Sequence, residues 1–345
     1  MYKIANISKK DREALFRNTA DKYGLNEAII EKDFWACWTL RYLFNESPWN
    51  DSFAFKGGTS LSKGYGLIER FSEDIDLVLD WRLLGYSKDE PWIERSKTQQ
   101  RRFNDDINQK AVEFIEKIML PEIGDNFTKQ LSEKQNVFIS EDNPHTICFI
   151  YPQSHDDDSI LNQIRLEIGP LATWTPSRKI AITPYAAEKY PGLFTEPSTS
   201  VLTVKPERTF WEKITILHRE AYRTNGNFPS RYSRHYYDVE KLASTEIKKI
   251  AFSNIDVLDQ VVKFKSKFYP MNAARYDLAK PGTMKLIPSE ENMKLLEKDY
   301  KRMQNMIYGN KLSFDVLMRK IEDLENEINQ LGLLVCEKNA ILYRN

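Results

Sequence analysis

The sequence predicts an α+β fold: a mixed sheet with helices before it and a wholly helical portion after it. Three observations carry this expectation. Apolar or alternating runs at 53–55, 74–80, 136–140, 146–151, 160–169, 178–183 and 200–204 have the length and period of strands and are separated by turn-forming clusters. Helical spacing of apolar residues dominates the first 50 residues, and strand signals vanish from Pro206 onward. Gly57 and Gly58 break the chain between the first two strands, and the second strand turns Asp74, Asp76 and Asp80 to the face opposite Ile75, Leu77 and Leu79.

Residues 8–23 read as a helix capped by Ser8, with Leu15, Phe16 and Tyr23 inward. A second helix starts at about Asn26, and Ile30, Phe34, Trp38 and Tyr42 give it a deeply packed stripe. Glu31, Lys32 and Asp33 are expected in its solvated first turn, with a substrate contact as the alternative. From about Pro91 to Met119, Phe103, Ile107, Ala111, Phe114 and Ile118 recur at helical spacing, so a helix ending near Pro121 is inserted between strands. The acidic cluster Asp156 to Asp158 reads as a solvated turn.

Pro206 opens a helix with a Phe210, Ile214 and Leu217 stripe, and Lys213 lies off that stripe. After a loop at Asn225-Gly226-Asn227, a further helix spaces Arg234 and Asp238 at i, i+4, where they can touch. Residues 246–345 are helical except for an extended stretch at 284–288. The last helix has a near-heptad stripe (Phe314, Leu317, Ile321, Leu324, Ile328, Leu331) suited to packing on the body or on a partner. The expected organisation is 1–50 as helices on the core, 51–205 as the sheet core with an insertion at about 91–120, and 206–345 as a helical domain.

The 345 residues hold 50 Lys plus Arg and 50 Asp plus Glu, a net charge of zero, so a nucleic acid would have to be met by a local basic patch. Between Lys205 and Lys241 there are eight basic and five acidic residues, a composition that suits either phosphate binding or a plain solvated face. No apolar run is long enough to span a bilayer and the start lacks a signal-peptide core, which predicts a cytoplasmic protein without a membrane partner. Cys37, Cys148 and Cys336 are widely spaced and predict reduced thiols. His145, His155, His218 and His235 have no zinc-ligand spacing.

The chemistry concentrates in 52–80. Carboxylates at i and i+2 of a strand stand about 6–7 Å apart at Cα, close enough for their oxygens to converge on one divalent cation. Glycines let a ligand approach the backbone, and the N–H groups of Thr59, Ser60 and Leu61 at a helix start would suit phosphate. This is not a P-loop, because Gly64 follows Lys63 where Ser or Thr would be needed. The plain alternative is an edge strand with an acidic solvent face. Glu167 leaves the apolar face of the 160–169 strand; it either completes a three-carboxylate site or pairs with Arg165 or a neighbour.

Gly57-Gly58-Thr59-Ser60 with Lys63, followed by Arg70-Phe71-Ser72-Glu73-Asp74-Ile75-Asp76, resembles the signature of AbiEii/AbiGii-type toxins, the MenT-like nucleotidyltransferases of the DNA polymerase β superfamily. Glu31-Lys32-Asp33-Phe34-Trp35, Glu212-Lys213, Arg234 with Asp238, and Asp299-Tyr300 with Met303 and Met306 are similar to the family pattern beyond that core. The resemblance implies a polymerase β-like nucleotidyltransferase core with a helical C-terminal domain, and transfer of a nucleotide from an NTP to an acceptor. Related toxins extend the 3′ end of tRNA and stop translation. They are paired with an antitoxin, often a DNA-binding repressor, in toxin–antitoxin and abortive-infection phage defence systems. The resemblance assigns Gly57, Gly58, Thr59, Ser60, Lys63 and Arg234 to the nucleotide. It gives Asp74, Asp76 and, as third acid, Glu167 to Mg2+ or Mn2+, and makes Asp74, Asp76, Lys213 and Asp238 catalytic. A protein or small-molecule hydroxyl as acceptor, or nucleotide binding without turnover, are the competing readings.

Overall fold

The computed structural model describes residues 1–342 except 73, 156, 158–159, 172–174, 225 and 227, with side chains to residue 332. Glu73, the acidic turn at Asp156 and Asp158, Asn225 and Asn227 of the predicted loop, and the Cys336 thiol lie outside the described residues. The chain divides into two compact units: Met1–Tyr65 with Phe71–Val204, and Gly66–Arg70 with Lys205–Asn345.

The first unit is built on a seven-stranded mixed sheet in the order β3-β4-β5-β2-β1-β7-β6. Its strands are β1 (Phe53–Lys56), β2 (Asp74–Leu79), β3 (Asn136–Ile139), β4 (Thr146–Ile150), β5 (Ile164–Gly169), β6 (Ser177–Ile182) and β7 (Thr199–Val204). The β2–β5 and β1–β7 pairs are parallel and the others antiparallel. Because side chains alternate, register decides which residues share a face. Phe55 pairs with Leu77, Ile75 with Leu166 and Ile147 with Leu166, which assembles one apolar face whose members are all buried.

Helices Glu27–Arg41 and Leu120–Leu131 cover that face. Trp35 and Trp38 meet Phe149 at ring-centroid distances of 6.1 and 5.9 Å, and Phe127 meets Phe149 at 4.8 Å. Such pairs add about 0.5–1.5 kcal/mol each beyond the area they bury. The predicted caps are present: Ser8 Oγ accepts from Asp11 N at 3.1 Å, and Asn26 Oδ1 accepts from Ala28 N at 2.8 Å.

Two expectations are corrected here. The inserted helix does not end near Pro121: Lys97–Phe114 passes through a π turn, Ile115–Met119, into Leu120–Leu131. The wide turn lies where the proline, lacking an N–H, interrupts the regular ladder, and the proline occupies the opening turn of the next segment. Glu31 and Lys32 are not solvated but 0% and 2% exposed. Glu31 accepts from Ser154 N and His155 N, and Lys32 Nζ donates to the Leu161 carbonyl at 2.8 Å. They hold the backbone at Ser154, His155 and Leu161 by giving its polar groups partners.

The second unit is helical: Pro206–Ala221, Ser233–Ala243, Glu246–Ser253, Asp256–Phe268, Glu290–Met303 and Phe314–Leu342. Gly66–Arg70 is tied into it, since Arg70 bridges Ile307 and Tyr308 N donates to the Glu69 carbonyl at 3.0 Å. The last helix buries Leu317, Ile321, Leu324 and Ile328 within its own unit. Its polar side chains clamp the stretch around 284–287, where Asn329 exchanges two hydrogen bonds with the Met284 backbone and Glu325 accepts from Leu286 N and Ile287 N. No helix among the described residues is long and apolar enough to cross a membrane. Cys37 and Cys148 are buried and form no disulfide.

Candidate active site

On the polar face of the sheet, Asp76 of β2 is the register partner of Glu167 on β5 and of Lys56 on β1, and Asp74 is the partner of Arg165. The strand with Glu167 therefore lies beside the aspartate pair. Arg165 reaches two of the three acids of this face, with Nε 3.5 Å from Asp74 Oδ1 and Nη2 4.0 Å from Glu167 Oε1. Among the described residues no three His, Cys, Asp or Glu side chains converge as a set to hold a metal. The donors present are carboxylate oxygens, the chemistry that suits a hard cation such as Mg2+ or Mn2+.

The glycine turn fits directly against this face. Gly57 has φ +78°, in the left-handed region, and a Cβ built on it would fall 1.7 Å from Asp76 Oδ2. Only a glycine lets turn and carboxylate approach so closely. Gly57–Thr59 forms a helical turn that widens into a π turn at Ser60–Gly64. Thr59 Oγ1 donates to the Asp74 carbonyl at 2.5 Å and Ser60 Oγ to the Gly57 carbonyl at 2.8 Å. Thr59 thus ties the turn to β2, and Ser60 closes the turn on itself.

Lys63 points into the protein. Its Nζ lies 3.0 Å from Asp33 Oδ1, 3.4 Å from Glu188 Oε1 and 3.5 Å from the Tyr185 ring centroid. Burial opposes the ammonium, but Asp33, Cys37 and Glu188 outweigh it and hold the pKa above that of an ordinary lysine. Asp33 also accepts from Tyr185 N at 2.7 Å. Asp33 therefore joins the helix Glu27–Arg41 both to the π turn and to the helix Tyr185–Lys189, rather than standing in a solvated first turn.

Within the helical unit, Asp238 is fully buried and is the centre of a charge cluster. Arg70 grips it with two bonds, Nε to Oδ1 at 2.7 Å and Nη2 to Oδ2 at 2.8 Å, and Lys213 Nζ reaches Oδ2 at 2.8 Å. Burial would raise the Asp238 pKa; Arg70 and Lys213 reverse that and hold the carboxyl far below its usual range. Burial lowers the Lys213 pKa, Arg70 and Arg234 push the same way, and Asp238 offsets this only in part. The anticipated Arg234–Asp238 contact is replaced by these pairs. Arg234 makes no hydrogen bond or ion pair among the described residues, because Asp238 faces the core of its unit while Arg234 lines a cavity.

A family profile described as nucleotidyl transferase AbiEii toxin, type IV TA system, matches residues 38–320. The chain belongs to the AbiEii nucleotidyltransferase toxin family. The resemblance read from the glycine turn and the acidic strand is borne out, as is the α+β class with a mixed sheet and N- and C-terminal helices. The protein is a nucleotidyltransferase toxin of a type IV toxin–antitoxin system, with an NTP as substrate and an antitoxin as partner. Among solved structures it is similar to MenT4, a nucleotidyltransferase toxin from Mycobacterium tuberculosis H37Rv, with 16% identity, a TM-score of 0.42, and coverage of 95% of this chain and 99% of that one. No curated protein matches the sequence.

For this AbiEii family member, sequence reasoning missed three participants. Arg70 was visible only as part of the signature, although a buried Asp demands a cation of such geometry. Arg165 reads in sequence as a partner of Glu167 beside it on the strand, whereas its contact with Asp74 depends on strand pairing. The pairing of Asp33 with Lys63 had no local signal, since the residues belong to different elements.

Proposed function

We propose that this toxin transfers a nucleotide from an NTP to an RNA acceptor, the 3′ end of a tRNA, and so blocks translation. The observation that carries the reading is the close fit of the Gly57 turn to Asp76, on a face where Asp74 and Glu167 stand in adjacent register positions. Asp74, Asp76 and Glu167 would hold Mg2+ or Mn2+, which when bound supplies neutralisation of the charge that develops on the phosphate oxygens. Gly57, Gly58, Thr59 and Ser60 admit the triphosphate close to the backbone. Lys63, engaged by Asp33, shapes that turn from within. Lys213, held by Asp238, and Arg234 are cations of the helical unit suited to phosphate oxygens. The acceptor hydroxyl gives its proton to water, and its oxygen bonds to the α-phosphorus as the bond to pyrophosphate breaks.

The toxin acts in the cytoplasm, in phage defence, and is restrained by an antitoxin that is a DNA-binding repressor. Incubation of the purified protein with each labelled NTP and purified tRNA tests the reading, with label expected on the RNA 3′ end. Label that migrates with protein or small molecules in total extract would overturn the RNA acceptor. Triphosphate binding with no product over long incubation would overturn turnover itself.

A further inference from the structure

The helical unit contains a cavity of about 230 Å³ lined by four arginines, Arg70, Arg231, Arg234 and Arg302, and one acid, Asp299. Met303 and Met306 supply its apolar wall. Four guanidinium charges against one carboxylate leave an excess of three (4 − 1). The neighbouring pair Lys213 and Asp238 does not alter this balance.

The acid in the lining already has work to do. Asp299 accepts from Arg231 N at 2.6 Å and from Ser233 N at 2.9 Å, capping the start of the helix Ser233–Ala243. Those bonds also hold Arg231 at φ +63°, a left-handed conformation that costs a non-glycine residue about 1–2 kcal/mol. Arg234 and Arg302 make no hydrogen bond or ion pair among the described residues. Guanidinium groups gathered in a small concavity repel one another, and an anion with several oxygens relieves that repulsion while filling the donor forks of Arg234 and Arg302, Arg70 being engaged by Asp238. The lowered Lys213 pKa, to which Arg234 contributes after burial, reflects the same positive field.

We propose that this cavity binds a terminal, multiply charged phosphate, a phosphomonoester or a pyrophosphoryl group, in preference to an internal phosphodiester. A diester carries a single negative charge, whereas a terminal phosphate carries about 1.5 to 2 at neutral pH and has three free oxygens to accept bonds. The cavity is smaller than the roughly 300–1,000 Å³ of common small-molecule sites, so it suits a phosphate with its adjoining sugar and not a whole nucleotide. Which molecule brings the phosphate, the NTP or the end of the RNA, rests on the nucleotide-transfer reading above; the binding itself does not.

The test is calorimetric titration of the full chain in EDTA with inorganic pyrophosphate, and with one RNA hairpin prepared with a 5′-phosphate or a 5′-hydroxyl. Pyrophosphate should bind the wild type, and Arg234→Gln/Arg302→Gln should weaken it by about tenfold or more. Asp76→Ala should bind pyrophosphate as the wild type does while losing transfer, so failure of the catalytic reading and failure of this one are told apart. If the 5′-phosphate strengthens RNA binding and pyrophosphate competes with it, the cavity serves the acceptor. If the two hairpins bind alike and NTP competes with pyrophosphate, it serves the donor. Equal binding of pyrophosphate by wild type and double variant, or no binding by the wild type, overturns the proposal. Neither arginine is engaged in the fold, so the double variant should melt with the wild type; if it melts early, competition on the wild type alone decides.

Discussion

At the scale of single residues, Gly57 and Asp76 form one device, and each predicts the effect of changing the other. Asp76→Ala removes a charge from the polar face of the sheet and should abolish nucleotide transfer without lowering the melting temperature. Full activity of that variant with magnesium or manganese would refute the assignment. Gly57→Ala should fail in the same assay, because its Cβ would overlap Asp76 Oδ2 and must displace it. Gly85→Ala is the control. Gly85 has a similar φ of +87° but open space around it, so the variant carries the same backbone strain, about 1 kcal/mol or more, and should keep its transfer rate. Asp238→Asn addresses the helical unit: it leaves Arg70 and Lys213 buried without a counter-charge, which should cost about 3–5 kcal/mol in urea unfolding. An unchanged midpoint would mean that water reaches the cluster.

At the scale of elements, the helix Glu27–Arg41 shows how far periodicity reaches. Its apolar stripe is legible because 3.6-residue spacing is local, but Glu31, Lys32 and Asp33 read as a solvated turn and prove to be connectors. Buried Glu31 accepts from two backbone N–H groups of another segment, which no local pattern encodes. The last helix is a similar case: its stripe was predicted, whereas its grip on 284–287 through Glu325 and Asn329 was not. Glu325→Ala should free the N–H groups of Leu286 and Ile287, at about 1–3 kcal/mol. Hydrogen exchange should show lost protection confined to that stretch and its neighbours. Protection unchanged there would remove Glu325 from the account.

At the scale of the whole molecule, acid should unfold the protein in two stages. His218 is fully buried: its Nε2 lies 3.0 Å from the Arg275 carbonyl and its Nδ1 accepts from Lys285 N, an arrangement that requires the neutral ring. Burial lowers its pKa below the ordinary 6.5, so the unfolded chain binds the proton more tightly. Its contribution is therefore fully present above pH 6.5 and is lost as pH falls from there through the folded value. His145 and His235 are shifted the same way, chiefly by burial. Asp238, with its pKa depressed below the ordinary 3.8, adds a second loss that begins only under that pH. Melting temperatures followed from neutral to acid should decline in those two windows; a rise on crossing 6.5 would contradict the His218 arrangement. The sequence by itself determined the strand runs, the helix stripes, the glycine turn and the acidic strand, since each depends on spacing within a few residues, and from these the family followed. The tertiary structure alone decided that Arg70 holds Asp238 across 168 positions of chain, that Arg165 stands between Asp74 and Glu167, and that four arginines converge on one cavity. The physical reason is that a charge finds its partner by burial and long-range register, and a chain with 50 basic and 50 acidic residues offers many pairings that only the fold selects.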